Sequence, residues 1–195
     1  VEQNAKRIYF SIDTNISYVD EEKNVEMVAT PSTDYKITTM IDFNSNVLGT
    51  QHAYLKGLKS YRKEIANSRT FCFLHEIEYL HSKNLIRGGD FDNAIVVVDR
   101  VLSDEELSKL AKLFNKEKIE VKQEGILNNL KLHHANEPAR HKLLDIVGDL
   151  SLIGYPIKAN IIAYRPGHKS NVAFAKKIKE YIKKNKNMLD VPVYN

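Results

Sequence analysis

The chain predicts an α+β fold: a two-layer α/β sandwich in which a mixed, mostly antiparallel sheet packs against helices, with a small βαβ-like insertion. Three observations carry that prediction. The first 45 residues mix β-branched and aromatic residues with polar ones between turn-like breaks. Residues 137–150 place apolar side chains at helical spacing on one arc. Residues 95–99 form a dense β-branched run, the signature of a buried strand, with helix-like stretches before and after it. The length of 195 residues suits one domain of ordinary size, and 43% hydrophobic residues supply a core.

Strands are expected at 7–13, 16–20, 25–30 and 35–43, with Asp20-Glu21-Glu22-Lys23-Asn24 as one of the separating turns. Residues 51–60 suit a further strand. Residues 60–69 read as a helix with Ile65 and Ala66 among its buried positions, and 76–83 as a second short helix leading into Leu85-Ile86-Arg87-Gly88-Gly89. Ser103-Asp104-Glu105-Glu106 before Leu107 has the form of a capping box opening another helix. Residues 119–121 suit a short strand. The charged, amide-rich stretch 112–136 reads as a variable insertion or mobile loop. An apolar strand at 159–163 and an amphipathic helix at 174–182 complete the pattern. The expected boundaries are a domain over 1–187, with an insertion around 75–99 and a variable segment 101–136, and a tail or start of linker over 188–195.

Charge and composition exclude several classes. A net charge of +4, from 29 basic and 25 acidic residues, is too mild to argue for nucleic acid, though it tolerates a phosphorylated substrate. The lysine-rich terminal helix has no aromatic stacking motif or recognition helix beside it. Cys72 is the single cysteine, so no intrachain disulfide forms, and without an activating partner it reads as a packing residue. No window approaches the roughly 18 uninterrupted apolar residues of a spanning helix. The chain begins at Val1 without a signal-peptide pattern, which points to a cytoplasmic protein and to a piece of a longer one.

The chemistry concentrates in Arg140-His141-Lys142-Leu143-Leu144-Asp145-Ile146-Val147-Gly148-Asp149. Glu137 and Pro138 suit the helix opening, where a missing N–H costs little and negative charge is favoured. At about 100° per residue, Asp145 lies about 40° and Asp149 about 80° from His141. Leu143, Leu144, Ile146, Val147 and Leu150 fill the opposite arc, so the column faces away from the helix's own core. Gly148 borders that polar face and leaves room for a ligand or another backbone. His141 and Asp145 are neighbours at i and i+4 and can converge on one ion; imidazole nitrogen and carboxylate oxygen both bind zinc at about 2.0–2.2 Å. Two ligands do not complete a catalytic site, and a solvated ion pair explains the same residues. Asp149 can instead orient a second histidine. His168 follows the Pro166-Gly167 turn at a strand end, and a His168–Asp149 pair suits proton donation or stabilisation of an oxyanion.

His141-Lys142-x-x-Asp145-x-x-Gly148-Asp149, followed by Gly167-His168, resembles the H-K-x-x-D-x-x-G-D and G-H motifs of the UDP-3-O-acyl-N-acetylglucosamine deacetylases. Those enzymes are zinc amidases of bacterial lipid A biosynthesis. Ser68-Arg69-Thr70-Phe71-Cys72-Phe73 is similar to the family's S-R-T-F-x-F segment. Glu76 to Leu80, Gly88-Gly89 and Phe91-Asp92-Asn93-Ala94-Ile95-Val96-Val97 follow in the family order, so the resemblance runs from about residue 6 to 181. The family has two similar halves around one site, and this chain resembles the second. The resemblance implies zinc ligation by His141 and Asp145, pairing of Asp149 with His168, and an oxyanion contact from Thr70. It implies a phosphate or sugar contact from Lys142, and substrate binding by Phe71, Phe73 and Gly89, with residues 71–86 forming or bordering a passage for the hydroxyacyl chain. His168 would serve as acid or as electrostatic stabiliser.

The third zinc ligand and the glutamate base would then come from a first half preceding this chain. His52, His75, His81, His133 and His134 are present, but none stands in a matching context, and Glu76 and Glu78 are poor substitutes. Residues 101–136 exceed the compact family form, as an insertion near the substrate passage or as surface elaboration. The implied reaction of the complete protein is zinc-dependent hydrolysis of the N-acetyl amide of a UDP-linked acylated amino sugar, with this chain inactive alone. In some bacteria such a chain is fused to a 3-hydroxyacyl carrier-protein dehydratase, for which residues 188–195 would make a linker. A second functional class is a non-catalytic binding or assembly module that retains the same face.

Overall fold

The computed structural model describes residues 8–83, 94–113, 116–121, 125–127, 130–185 and 189–190. Its contacts divide the chain into two compact units, one made of 1–41, 51–67 and 139–195, the other of 42–50 and 68–138.

The first unit is built on a mixed sheet. Strands β1 (Tyr9–Ser11), β2 (Ile16–Asp20), β3 (Val25–Thr30), β4 (Tyr35–Asp42), β5 (Thr50–Lys56), β8 (Ile157–Tyr164) and β9 (Leu189–Asp190) form it, with β6 and β7 belonging to the other unit. The pairs β2/β3, β3/β8 and β1/β9 are antiparallel, whereas β1/β8 and β4/β8 are parallel. β8 is therefore the hub of the sheet. Alternation decides which face is buried: Val25, Met27 and Ala29 on β3 and Ile157, Ala159, Ile161 and Ala163 on β8 point inward, whereas Met40 and Ile162 are exposed.

Two helices cover the inward face. α4 (Glu137–Leu150) contributes Ala139, Leu143, Ile146 and Leu150, spaced as one helical stripe. α5 (His168–Lys184) contributes Phe174, Ala175, Ile178 and Ile182 to the same core, with Phe10, Ile37, Ile41 and Leu55 from the strands. The result is the expected two-layer α+β arrangement. A short 3-10 turn, Ser151–Ile153, links α4 to β8, and Gly154 ends it at φ 86°, a left-handed conformation that favours glycine.

The second unit holds a βαβ element in which β6 (Thr70–Phe73), α2 (Leu74–Ser82) and β7 (Ala94–Val97) place two parallel strands side by side. α3 (Asp104–Leu113) starts as the capping box predicts: the Glu106 N–H donates to Ser103 Oγ at 3.3 Å, and the Ser103 N–H to Glu106 Oε2 at 2.9 Å. Cys72 packs beside Leu74, Ile77 and Val96, and burial, with Glu76 nearby, pushes its thiol up to about 11. It is a packing residue.

Three local expectations change. The helix expected over 60–69 is a single turn, α1 (Tyr61–Glu64), in which Ile65 is fully buried but Ala66 is exposed. At 119–121 there is no strand; Ile119 is buried and Val121 makes an isolated bridge to Leu127. The terminal helix starts six residues earlier than its apolar stripe, at His168 rather than Phe174.

Glu137, fully buried, accepts from the Arg69 N–H at 2.9 Å, from Arg69 Nε at 2.8 Å and Nη2 at 2.9 Å, and from the His133 N–H at 2.7 Å. Burial works to raise the Glu137 pKa, but the hydrogen bonds from Arg69 and from the two backbone amides outweigh it, and the carboxyl lies below its ordinary value. A depressed folded pKa gives stability that is complete above the ordinary carboxylate value of about 4.3 and is lost as pH falls through the lower folded value. Glu137→Ala leaves the half-buried Arg69 guanidinium without its carboxylate and is expected to cost about 3 kcal/mol at neutral pH. Denaturant melts of variant and parent should begin to converge as pH falls below the ordinary value of about 4.3; a gap that stays constant on acidification would refute the ionic account.

Candidate active site

The polar face of α4 and the first turn of α5 meet in the first unit. His141 Nε2 stands 3.5 Å from Asp145 Oδ1, one helical turn along. Lys142 Nζ lies 3.1 Å from the other oxygen, Asp145 Oδ2. The expected exposure of this column is only partly met: Asp145 is buried, at 7% exposure, and His141 and Lys142 are half-buried. A carboxylate so enclosed needs cationic or donor partners, and here it has two on its own helix.

His168 arrives from the other side. Tyr164 ends β8, and Arg165-Pro166-Gly167 leads directly into α5. Arg165 takes a left-handed φ of 51° and donates its N–H to the Met40 carbonyl at 2.8 Å. Gly167 caps the helix: its N–H donates to Ser170 Oγ at 3.0 Å, and that hydroxyl donates to the Gly167 carbonyl at 2.8 Å. His168 is thus the first helical residue rather than the tip of a strand-end turn, because Ser170 continues the chain straight into helix. Its Nδ1 lies 2.9 Å from Asp149 Oδ2, and its Nε2 4.0 Å from Asp145 Oδ1. The Asp149 carboxylate also faces the positive end of α5.

The sequence reading missed Asn171. This residue is fully buried one turn beyond His168, and its Nδ2 donates to Asp149 Oδ2 at 2.9 Å. An amide at i+3 from a histidine on an amphipathic helix reads as solvated surface, and only the packing of α5 shows otherwise. Gly148 is exposed, and a Cβ added there would meet nothing within 4 Å, so the face beside Asp149 is open.

The donor set accommodates two of the four positions of a tetrahedral zinc. Two donors each about 2.1 Å from one ion at the tetrahedral angle stand about 3.4 Å apart. His141 Nε2 and Asp145 Oδ1 are 3.5 Å apart, close to that spacing, while His168 Nε2 is 4.0 Å from Asp145 Oδ1. Among the described residues no group of three His, Cys, Asp or Glu side chains is arranged to hold a metal.

The other sequence-predicted residues belong to the second unit. Thr70 is exposed at the start of β6, in register with Ala94. Phe73 is buried against Ile95, Val97 and Ile126, with Phe71 half-buried beside it. Both rings contact Phe43, at centroid distances of 5.3 Å for Phe71 and 5.9 Å for Phe73. Gly89 lies outside the described residues. No helix among the described residues is long and apolar enough to cross a membrane.

A histidine and a carboxylate facing one point, next to a second histidine held by its own carboxylate, make an α+β protein with a site fit for acid–base and hydrolytic chemistry. The chain belongs to the UDP-3-O-acyl N-acetylglycosamine deacetylase family, which matches residues 1–119 and 114–180 in two overlapping stretches. It is 45% identical over 188 residues to the "Bifunctional enzyme LpxC/FabZ" of Chlorobaculum tepidum, covering 95% of this chain and 40% of that protein. The protein of the same name from Porphyromonas gingivalis is 41% identical across all of this chain and 42% of its own length. The UDP-3-O-acyl-N-acetylglucosamine deacetylase of Syntrophotalea carbinolica is 37% identical over 90% of this chain and 49% of its own length. The chain therefore spans half or less of the length of these relatives.

Proposed function

We propose that this chain is the second half of a UDP-3-O-acyl-N-acetylglucosamine deacetylase, carrying part of a zinc-dependent amidase site used in lipid A biosynthesis. The observation that carries the reading is the His141–Asp145 donor pair at 3.5 Å beside the His168–Asp149 pair at 2.9 Å. His141 and Asp145 would hold zinc, which when bound supplies polarisation of the amide carbonyl and a water acidic enough to ionise near neutral pH.

The chain's own groups supply further parts of the site. Asp149 accepts the Nδ1 proton of His168, which leaves Nε2 to hold a proton for the departing sugar amine or to stabilise negative charge on the former carbonyl oxygen. Lys142 neutralises Asp145 Oδ2 in the free chain and would turn to the phosphates of a UDP-linked substrate. The resemblance assigns Thr70 an oxyanion contact, and Phe71, Phe73 and Gly89 contacts to the acyl-bearing substrate. The products would be acetate and the free 2-amino sugar, still carrying its 3-O-acyl chain.

A third metal ligand and a general base would come from the preceding half. A following dehydratase domain is proposed on the names of the two bifunctional relatives. The test is acetate release by the purified 195-residue chain, alone and after adding the missing half, with zinc measured in both. Turnover only in the mixture is expected. Robust zinc-dependent turnover by the chain alone would overturn the division of the site. A mixture with no turnover, yet binding the sugar nucleotide, would favour the binding-module reading.

A further inference from the structure

We propose that Asn171 is a positioning residue: it locks the Asp149 carboxylate so that His168 keeps its proton on Nδ1 and presents Nε2 to the reacting groups. The proposal rests on the deacetylase reading for its kinetic consequence, but not for its geometry.

Asp149 Oδ2 receives two donors at 2.9 Å, His168 Nδ1 and Asn171 Nδ2. A carboxylate oxygen has two lone pairs, so the pair of donors saturates it. The amide orientation follows from the same chemistry: turned the other way, Asn171 would set its oxygen against an ionised carboxylate oxygen. With the amide fixed, the remaining lone pair on Oδ2 has one direction, and His168 must point its Nδ1–H along it.

Burial separates the roles. The His168 side chain is 71% exposed, so packing does not hold the imidazole, and its orientation depends on the bond to Asp149. The Asp149 side chain is itself 17% exposed and can turn towards solvent unless something holds it. Asn171 is fully buried, and its backbone N–H donates to the Gly167 carbonyl at 2.8 Å within the first turn of α5. The rigid member of the chain Asn171–Asp149–His168 is therefore the amide, and order passes outward from it to the exposed ring.

The other end of the amide argues against a role in stability. Asn171 Oδ1 is buried with no hydrogen-bond partner among the described residues. An unpaired buried acceptor weakens a fold. A leucine of similar size would fill the same space without that burden, so the useful atom of Asn171 is Nδ2.

The experiment uses the full-length protein with Asn171→Leu, alone and combined with Asp149→Ala. Asn171→Leu should lower kcat about tenfold or more, with KM within about twofold, zinc content unchanged and the melting temperature not lowered. In the Asp149→Ala background the same substitution should change kcat by less than about twofold, because the carboxylate it positions is gone. An equal loss in both backgrounds, or no loss in the parent, overturns the proposal. Should Asn171→Leu fail to fold, selective asparagine labelling reads the contact directly. The Asn171 side-chain amide proton should resonate downfield as a carboxylate-bound donor and move upfield in Asp149→Ala; an unmoved resonance overturns the proposal. If the parent shows no deacetylation at all, the functional reading fails, while the amide resonance still decides the contact.

Discussion

Replacing His141 or Asp145 with alanine in the full-length protein is expected to abolish amide hydrolysis while leaving the fold largely in place. A Lewis acid contributes several kcal/mol of charge stabilisation to such a transition state, and about 4 kcal/mol corresponds to a rate factor of about 1000. Each substitution removes one of the two donors that stand 3.5 Å apart, so each should lose zinc as well as rate. Neither belongs to the apolar stripe of α4, which is Ala139, Leu143, Ile146 and Leu150. Asp145→Ala does remove the carboxylate beside Lys142, but that side chain has a route to solvent. Rate, bound zinc and thermal melts measured on the same samples give the check. Unchanged acetate release in either variant would remove that residue from the metal site.

Substituting His168 or Asp149 with alanine is expected to slow turnover about 100- to 10000-fold, the range for loss of a positioned proton donor. Bound zinc should stay near parent levels, because the proposed ligands are His141 and Asp145, and His168 Nε2 stands 4.0 Å from Asp145 Oδ1. The two residues act as a unit, so the double variant should be hardly slower than the worse single one. Losses that multiply would instead show two independent roles. A fall in zinc content for His168→Ala would identify it as a ligand and overturn the division of labour proposed here.

The helix carrying the site was legible because its pattern is strong. Leu143, Ile146 and Leu150 mark a stripe at helical spacing, and the structure buries all three. The column at i, i+4 and i+8 then followed from geometry alone. β8 was legible as an apolar strand, and the first strands by their alternation. Residues 60–69 were legible only in part: the helix is the single turn Tyr61–Glu64, and Arg69 beyond it is bound by the buried Glu137, a partner distant in sequence. The role of Asn171 was not legible, since it depends on the first turn of α5 meeting Asp149 of α4. Helical periodicity reports which face of an element is polar, but not what lies against that face.

β8 joins the two chemical helices on a short tether. α4 enters it through the Ser151–Ile153 turn, and α5 leaves it through Arg165-Pro166-Gly167. Because β8 is hydrogen-bonded to β3, β4 and β1, it cannot fray without dismantling the sheet. The side chains from His141 to Asn171 therefore share the cooperativity of the whole sheet, in contrast to catalytic groups mounted on an independent lid. A mutation that weakens the sheet core far from the chemistry would be felt at the site as a smaller population of intact molecules, with each intact molecule keeping its full rate.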